Sequence, residues 1–276
     1  MSEQQAEKAR RFLELHGSGE PLFVLPNPWD AGSARLLASL GFEALATTSS
    51  GFAATLGRLD GSVTRDEALA HSASIVAASR LPVSADLENG FAHEPAEVAE
   101  TVRRALEAGL AGCSIEDFGG SDDDPIYEHG LAVERIAAAA EAAHTGPARL
   151  VLTARAENHV HGRGDLEDTI RRLQAYEQAG ADVLFAPGLT RLEDIRQVLA
   201  SVSKPLNVLA RPGAPTVPEL AEAGVSRVSV GGAFAFAALG TVIEAARELT
   251  GDGTYGFLER AKVGLRGAGE AFSQGA

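Results

Sequence analysis

Residues 82–118, PVSADLENGFAHEPAEVAETVRRALEAGLAGCSIEDF, carry the pattern that decides the fold. The short apolar runs PVSADLE (82–88) and GCSIEDF (112–118) each predict a buried strand. Between them, EPAEVAETVRRALEA (94–108) has the apolar spacing of an amphipathic helix, and it ends before Gly109. Glycine is the residue expected just past a helix C-terminus, so this stretch predicts one complete β-α-β unit.

The same unit repeats along the whole chain. The other predicted strands are 21–26, 44–49, 150–157, 182–187, 205–210 and 227–232. The predicted helices are 30–40, 65–79, 94–108, 131–143, 165–179, 191–202, 217–223 and 234–249. Eight strictly alternating units predict an α/β fold, a (β/α)8 TIM barrel, and we expect residues 1–276 to form a single domain with a C-terminal helical extension. The glycine motifs of dinucleotide-binding and P-loop folds are missing, which argues against those classes.

Composition narrows the possible partners and compartment. The chain has a formal net charge of −14 and no stripe of Lys or Arg, which disfavours binding to nucleic acid or to an anionic membrane. No apolar run approaches the ~18 residues of a membrane span, and the N-terminus lacks the apolar core of a signal peptide. The single cysteine, Cys113, fits a reducing compartment. We therefore expect a cytoplasmic protein, in which an anionic substrate would need a metal ion or local positive charge.

Polar residues gather where the predicted strands end. They are Ser49, Ser50 and Gly51 after the second strand, Asp86 and Glu88 on the third, Glu116 on the fourth, Arg155 on the fifth and Asn207 on the seventh. Active sites of such barrels lie at the C-terminal ends of the strands. Buried charges are costly unless they are paired or bind a metal, so this distribution predicts a functional site.

The residue types indicate the chemistry of that site. Alternate side chains of a strand share a face, so Asp86 and Glu88 are expected to point the same way. Together with Glu116 and with Asp60, which lies in a loop, they offer the oxygen ligands that Mg²⁺ prefers. Arg155 supplies a planar fork suited to a carboxylate or phosphoryl group, and the backbone N–H groups of Ser49-Ser50-Gly51 can hold an anion.

Each signal also has a structural interpretation, and the sequence leaves both open. Glu88-Asn89-Gly90 is also a strong turn sequence. Glu116-Asp117 can cap a helix, and Arg155 can simply pair with Glu157 or Glu116. The pair His159 and His161 suggests a metal site only weakly, and Cys113 is expected in the core.

Read together, the motifs resemble those of the isocitrate lyase / phosphoenolpyruvate mutase superfamily. The matching stretches are Leu25–Asp30, Thr47–Gly51, Asp86–Phe91, Ile115–Asp117, Ala154–Glu157, Ala179–Asp182 with Leu184-Phe185, and Gly224–Ser229. The resemblance implies a Mg²⁺-dependent barrel (Mn²⁺ also serving), assembled as a homotetramer that swaps its last helix between subunits. Such enzymes make or break a C–C or C–P bond beside a 2-oxo acid.

The resemblance also implies residue roles. Asp86 looks like the direct metal ligand, with Asp60, Glu88 and Glu116 acting mostly through water. Arg155 and the Ser49-Ser50-Gly51 backbone look like the clamp on the substrate carboxylate, which Asp86 also approaches. Arg155, Glu116 and, on a weaker match, Asn207 form the implied catalytic set.

One segment departs from the superfamily pattern. Superfamily lyases acting on isocitrate or methylisocitrate carry a catalytic cysteine in the loop after strand four, whereas residues 118–125 here, FGGSDDDP, contain neither Cys nor Lys. Asp122, Asp123 and Asp124 would repel a phosphonate if they faced it, or they are solvated and cap the next helix. The favoured function is therefore a Mg²⁺-dependent C–C lyase on a small 2-oxo or 2-hydroxy acid, of the oxaloacetate decarboxylase type. The alternatives are a C–P bond enzyme, or a barrel that binds a 2-oxo acid with little turnover.

Overall fold

The fold was obtained as a computed structural model, which describes residues 3–17, 19–120, 125–145 and 149–273. Asp122, Asp123 and Asp124 lie outside the described residues, so their solvated or repelling role stays a prediction.

Eight short parallel strands form the core of the molecule. They are β1 Phe23–Leu25, β2 Leu45–Ala46, β3 Val83–Asp86, β4 Gly112–Glu116, β5 Val151–Arg155, β6 Val183–Phe185, β7 Leu206–Leu209 and β8 Arg227–Ser229. Every strand pairs in parallel with its sequence neighbour from β2 to β8, and β8 pairs with β1. The Ala46 N–H donates to the Pro26 carbonyl at 3.0 Å and joins β1 to β2. The predicted (β/α)8 barrel is confirmed.

The helices surround this barrel. They are α1 Glu3–Glu14, α2 Ala31–Ser39, α3 Ser49–Thr55, α4 Arg65–Ala78, α5 Pro95–Glu107, α6 His129–His144, α7 Leu166–Gln178, α8 Leu192–Ser201, α9 Val217–Ala223, α10 Ala233–Gly251 and α11 Leu258–Ser273. All eight predicted helices are present. Asp30 and Asp165 cap α2 and α7 by accepting backbone N–H bonds with their side chains.

Two local predictions at the strand ends were wrong. The second strand was predicted to run to residue 49, but helix α3 starts there. The Thr48 side chain accepts the Gly51 N–H and thereby caps a helix that begins at Ser49. The third strand ends at Asp86, and Glu88 has a left-handed backbone with φ of 47°. Glu88 therefore opens the Asn89-Gly90 turn and does not continue the strand alternation.

The bottom of the barrel is closed by helix α1. Phe12 of α1 lies so close to Gly112 that a Cβ there would be 2.7 Å from the Phe12 ring. Phe12, His16 and Phe23 pack edge to face with ring centroids 4.9–6.4 Å apart. This end of the barrel is thus sealed by aromatic packing, and the strand C-termini form the opposite, open end.

The two C-terminal helices lie on the outside. Within α10, whose residues are all described, Ala235 is buried while Phe236, Val242 and Ile243 expose about half of their surface or more. Helix α11 packs against α2. Among the described residues, no helix combines the length and apolar content needed to cross a bilayer.

Candidate active site

A cavity of about 210 Å³ opens at the C-terminal end of the barrel. Of the predicted site residues, it is lined by Ser49, Ser50, Asp60, Asp86, Arg155 and Asn207. Gly51, Glu88 and Glu116 stand behind this lining and contact it from outside. The cavity is smaller than the roughly 300–1,000 Å³ of pockets that take drug-sized ligands, so it suits a small molecule.

Arg155, the last residue of β5, is the centre of the charged lining. Its Nη1 lies 2.9 Å from Asp86 Oδ1, its Nη2 3.1 Å from Glu116 Oε2, and its Nε 2.8 Å from Glu157 Oε1. These carboxylates outweigh the opposing effect of burial and raise the pKa of Arg155 well above its ordinary value. The predicted structural pairing with Glu157 and Glu116 is therefore present.

The pairing leaves Arg155 able to bind a ligand. A guanidinium has five N–H donors, and the three ion pairs use one from each nitrogen, so two donors remain. The guanidinium also lies 5.3 Å from the ring centroid of Phe185, which borders the same cavity. The geometry fits the clamp role for a substrate carboxylate.

Asp86 is held in place by three neighbouring groups besides Arg155. Its Oδ2 accepts the Ser49 N–H at 3.3 Å, and its Oδ1 accepts the Glu88 N–H at 3.3 Å. Its own N–H donates to Thr47 Oγ1 at 2.9 Å. The start of α3 and the ends of β2 and β3 thus orient one carboxylate into the cavity.

Glu88 and Asp60 place two more carboxyl groups beside Asp86, and their ionisation is unfavourable there. Burial, reinforced by the charges of Asp86 and Asp60, raises the pKa of Glu88 to about 8. Asp60 as a whole is exposed, but its carboxyl group is partly buried. This burial raises the pKa of Asp60, and a hydrogen bond from the Ser49 side chain opposes the rise. A cation beside these carboxylates would relieve their repulsion.

Glu116 is more enclosed than either. Burial raises the pKa of Glu116 well above its ordinary value, while Arg155 opposes the rise. Glu116 does not line the cavity itself, and it contacts the lining through Arg155 Nη2 at 3.1 Å.

The described residues do not form a ready-made metal cage, since no group of three His, Cys, Asp or Glu side chains among them is placed to hold an ion. Mg²⁺ usually keeps several waters and binds through one or two carboxylates, so a single directly bound Asp86 is compatible with this arrangement. Burial first, and then the charges of Asp86 and Asp60, make ionised Glu88 unfavourable here and raise its pKa to about 8. The donor set therefore fits a largely hydrated divalent cation.

The Ser49-Ser50-Gly51 backbone is partly occupied. The Ser49 N–H points to Asp86, and the Gly51 N–H donates to Thr48 Oγ1 at 3.3 Å. Ser50 Oγ lies 3.2 Å from Thr48 Oγ1 and borders the cavity. Of this predicted anion-holding segment, Ser49 and Ser50 are the members that face the cavity.

Asn207 is only 2% exposed and belongs to a polar group deep in the barrel. Its Oδ1 accepts from Arg227 Nε at 2.8 Å, and its Nδ2 donates to Ser229 Oγ at 2.9 Å. Sequence analysis gave Arg227 no role, although an arginine opening the otherwise apolar strand RVSVGG was a visible signal.

Asp117 supports the site from behind and is not a helix cap. Its carboxylate accepts the Tyr176 hydroxyl at 2.6 Å, Arg172 Nη1 at 3.2 Å and the Glu157 N–H at 2.8 Å. Because Glu157 in turn pairs with Arg155, this buried network helps to hold the Arg155 side chain in place.

Two weaker sequence signals have structural explanations. The His161 ring stacks on Phe118 at 4.0 Å between centroids, and the His159-His161 pair belongs to no metal-holding group in the described chain. Cys113 is fully buried, which confirms its predicted place in the core. Burial also raises the pKa of its thiol to about 12.

Comparison with known proteins identifies several chains similar to this one. A solved structure from Burkholderia cenocepacia J2315, provisionally named a lyase/mutase, is 54% identical, with a TM-score of 0.91 over 94% of this chain and 93% of that one. The oxaloacetate decarboxylase of Ectopseudomonas mendocina is 33% identical over 246 residues, which are 85% of this chain and 82% of that protein. Oxaloacetate acetylhydrolase, solved with its product oxalate, is 26% identical, with a TM-score of 0.82 over 90% of this chain and 89% of that one.

The family assignment rests on the match to a family model. The model of the phosphoenolpyruvate phosphomutase family matches residues 12–250, which include every strand of the barrel and all the predicted site residues. Relatives named as lyases agree with the superfamily indicated by the motifs. The chain belongs to the phosphoenolpyruvate phosphomutase family.

Proposed function

We propose that this protein is a Mg²⁺-dependent lyase that cleaves a C–C bond of a small 2-oxo or 2-hydroxy carboxylic acid, with oxaloacetate decarboxylation as the concrete case. The observation that carries the proposal is the position of Arg155 beside Asp86 at the mouth of a small cavity. In the proposed site, the Arg155 guanidinium binds a substrate carboxylate, and the Asp86 carboxylate beside it binds the metal ion. The oxalate complex of oxaloacetate acetylhydrolase supports a small carboxylate as the ligand.

The chain's own residues bind and orient such a substrate. The two remaining N–H donors of Arg155 bind the carboxylate next to the 2-oxo group. Ser50 and the start of α3 border the same space, and the Phe185 ring and Leu209 provide apolar walls. In decarboxylation the C3–C4 bond breaks, CO2 leaves, and the electron pair delocalises into the 2-oxo group as an enolate. Protonation at C3 then gives pyruvate.

The proposed cofactor is Mg²⁺, with Mn²⁺ as a substitute. Asp86 would hold it directly, with Asp60, Glu88 and Glu116 holding its waters. When bound, the ion supplies Lewis-acid stabilisation of the negative charge that develops on the 2-oxo oxygen. Arg155 adds a fixed positive charge for the same purpose, and no cysteine is needed for this chemistry.

A product screen tests this function. The purified protein with Mg²⁺ would be followed by NMR over oxaloacetate, methylisocitrate, dimethylmalate and related acids, each against an Asp86→Asn variant and an exposed control, Glu222→Gln. We expect pyruvate or another 2-oxo acid from at least one substrate, lost in Asp86→Asn and kept in Glu222→Gln. Binding of these acids without any product would favour the alternative of a barrel with little turnover.

A C–P bond enzyme is the second candidate, because the matching family model is that of a phosphomutase. Phosphonopyruvate belongs in the same screen and is read by ³¹P NMR. Phosphoenolpyruvate as the product would identify a mutase, and inorganic phosphate with pyruvate would identify a hydrolase. Either result would replace the C–C lyase proposal.

We also propose a cytoplasmic homotetramer in which the last helices pack on a neighbouring subunit. The apolar surface left exposed on α10 and α11, including Phe236, Val242, Val263 and Leu265, supports this assembly. Light scattering during size-exclusion chromatography tests it, and a monomeric mass would contradict it.

A further inference from the structure

The turn that follows β3 contains two strained backbone positions. Glu88 and Phe91 have φ of 47° and 55°, and they are the only non-glycine residues with positive φ in the described chain. A side chain in this left-handed region crowds the following carbonyl oxygen, so the conformation costs free energy. Such a conformation persists only where the surrounding structure holds it. Because Glu88 belongs to the proposed metal site, the contacts that hold this turn bear on that site.

Arg135 of α6 holds the turn by its backbone carbonyls. Its Nη1 donates to the carbonyl oxygens of Ala92 at 2.6 Å and His93 at 2.5 Å, and its Nη2 donates to that of Asn89. The guanidinium also lies over the Tyr127 ring, 4.1 Å from its centroid. Hydrogen bonds from a charged donor are stronger than those between neutral groups. One side chain therefore fixes three carbonyl groups of the turn.

No carboxylate compensates the charge of Arg135. Only 1% of its surface is exposed, and in the described chain it forms no ion pair, whereas the enclosed Arg155 and Arg172 both contact carboxylates. Its Nε has no hydrogen-bond partner among the described residues. A buried charge without a paired charge is costly. What this buried cation provides in return is the set of three bonds to the turn after β3.

The turn connects Arg135 to the carboxylates of the site. The Glu88 N–H donates to Asp86 Oδ1 at 3.3 Å, and the Glu88 carbonyl accepts the Glu116 N–H at 3.0 Å. Both bonds form together only in a limited range of φ and ψ, since these angles set the direction of the Glu88 carbonyl relative to its N–H. Arg135 itself is not among the residues that line the cavity. It therefore reaches the site through the backbone of Glu88.

We propose that Arg135 is a positioning residue for the metal site, which keeps Glu88 in the left-handed conformation in which Glu88 and Asp86 together hold a hydrated divalent cation. The inference rests on the proposed function and extends its metal site to a side chain outside the cavity. Ligands that are held in their binding geometry before the ion arrives need no ordering when it binds. Arg135 should therefore contribute to the affinity for the ion and not only to the stability of the fold.

The test is the binding of Mn²⁺ without substrate, measured by electron paramagnetic resonance of the free ion. The proteins are wild type, Arg135→Met, Arg135→Lys, Glu88→Gln, the double variant Arg135→Met/Glu88→Gln, and Asp86→Asn. Val198→Ala is the matched control for lost stability. Val198 is fully buried in the second half of α8, away from the C-terminal ends of the strands, and its truncation leaves a small cavity in the core.

We expect Arg135→Met to weaken Mn²⁺ binding by about 10- to 100-fold, which is the usual effect of removing a partner behind the metal ligands. Arg135→Lys should recover part of this loss, because an ammonium group keeps the charge but does not span the three carbonyls. In the Glu88→Gln background, Arg135→Met should add less than about twofold, since the carboxylate that it positions is already gone. Val198→Ala should bind Mn²⁺ within about twofold of wild type.

Hydrogen exchange of wild type gives a readout that needs no variant. The Gly90 N–H donates to the Leu87 carbonyl at 2.7 Å, and the Phe91 N–H donates to Asn89 Oδ1 at 3.0 Å, so both amides are protected while the turn is formed. In EDTA-treated protein their exchange should be slowed by about tenfold or more, and Mg²⁺ should add little. Fast exchange that only Mg²⁺ suppresses would mean that the ion orders the turn, which would refute the role of Arg135. This measurement applies even if Arg135→Met does not fold.

The outcomes separate the two proposals. If Arg135→Met binds Mn²⁺ as tightly as wild type, or loses as much affinity in the Glu88→Gln background as it does alone, the positioning role is refuted while the metal site stands. An equal loss in Val198→Ala would also refute it, since the effect would then follow the stability of the fold. If wild type does not bind Mn²⁺, or Asp86→Asn binds it equally well, the proposed function itself fails and the inference fails with it.

Discussion

Replacing Glu88 by glutamine should make the metal-free protein less sensitive to alkaline pH. In the folded protein without metal, burial and the charges of Asp86 and Asp60 raise the pKa of Glu88 from 4.5 to about 8. In the unfolded chain the same group has its ordinary pKa. Between these two values the folded protein holds one proton more than the unfolded chain does, so rising pH favours unfolding.

The size of the effect follows from that proton. Each pH unit within this window lowers the free energy of unfolding by up to about 1.4 kcal/mol, so the interval from about pH 6 to about pH 8 is worth up to about 3 kcal/mol. Glu88 keeps some solvent exposure, which screens part of the repulsion, and we expect about 1–2 kcal/mol. Glu88→Gln removes this contribution because the amide carries no titrating proton.

The assay is urea unfolding of EDTA-treated protein at a series of pH values, for wild type, Glu88→Gln and the exposed control Glu222→Gln. Other buried carboxyls with raised pKa values, such as Glu116, give all three proteins a common slope. The informative quantity is therefore the difference in slope between wild type and Glu88→Gln. Saturating Mg²⁺ should abolish this difference, since the ion compensates the ionised carboxylate.

Parallel pH profiles for wild type and Glu88→Gln in the absence of metal would refute the reasoning. They would mean that Glu88 is ionised in the folded protein without a cation, and that negative charge is not in excess at this position.

Three further results are expected. Tyr176→Phe should lower the free energy of unfolding by about 2 kcal/mol, because it removes a buried 2.6 Å hydrogen bond to Asp117. Chemical denaturation measures this loss. A loss below about 0.5 kcal/mol, which is the size of a surface effect, would contradict the prediction. Gly90→Ala should lower the free energy of unfolding by about 2 kcal/mol or more, because φ of Gly90 is 80° and the new Cβ would lie 2.9 Å from the Val98 side chain. An unchanged midpoint of urea unfolding would count against this turn geometry. Arg155→Lys should lower kcat/KM by about a hundredfold while the fold is kept. An ammonium group cannot contact the neighbouring carboxylates and at the same time bind the substrate carboxylate in a bidentate way. Near wild-type kinetics would exclude the proposed role of Arg155 in binding the substrate carboxylate.

The sequence predicted the barrel and the main charged residues for a simple reason. Strand and helix periodicity is local information, and the rule that active sites lie at the strand C-termini then places Asp86 and Arg155 together although they are 69 positions apart. The same rule indicated Glu116, whereas Asp60 was added as a carboxylate from a loop. What brings these residues near one another is the topology, which the repeating units specify.

The rest depends on contacts that no local pattern records. His16 and Arg227 are 211 positions apart, and nothing in either neighbourhood indicates that the turn after α1 brings an imidazole against Arg227. The end of β3 at Asp86 and the start of α3 at Ser49 are decided by single side-chain bonds and one left-handed residue. Propensity and periodicity do not predict which residue ends a strand or starts a helix when single side-chain contacts decide it.

We propose that Asp86 and Arg155 organise a metal-dependent site for C–C bond cleavage. The most direct test is the rate of pyruvate formation from oxaloacetate, followed by ¹H NMR at fixed Mg²⁺ and corrected for the reaction with Mg²⁺ alone. We predict a rate proportional to wild-type enzyme, abolished by EDTA and by Asp86→Asn, and retained in Glu222→Gln. A rate that persists unchanged in Asp86→Asn, or no rate above the Mg²⁺ background in wild type, would contradict the account.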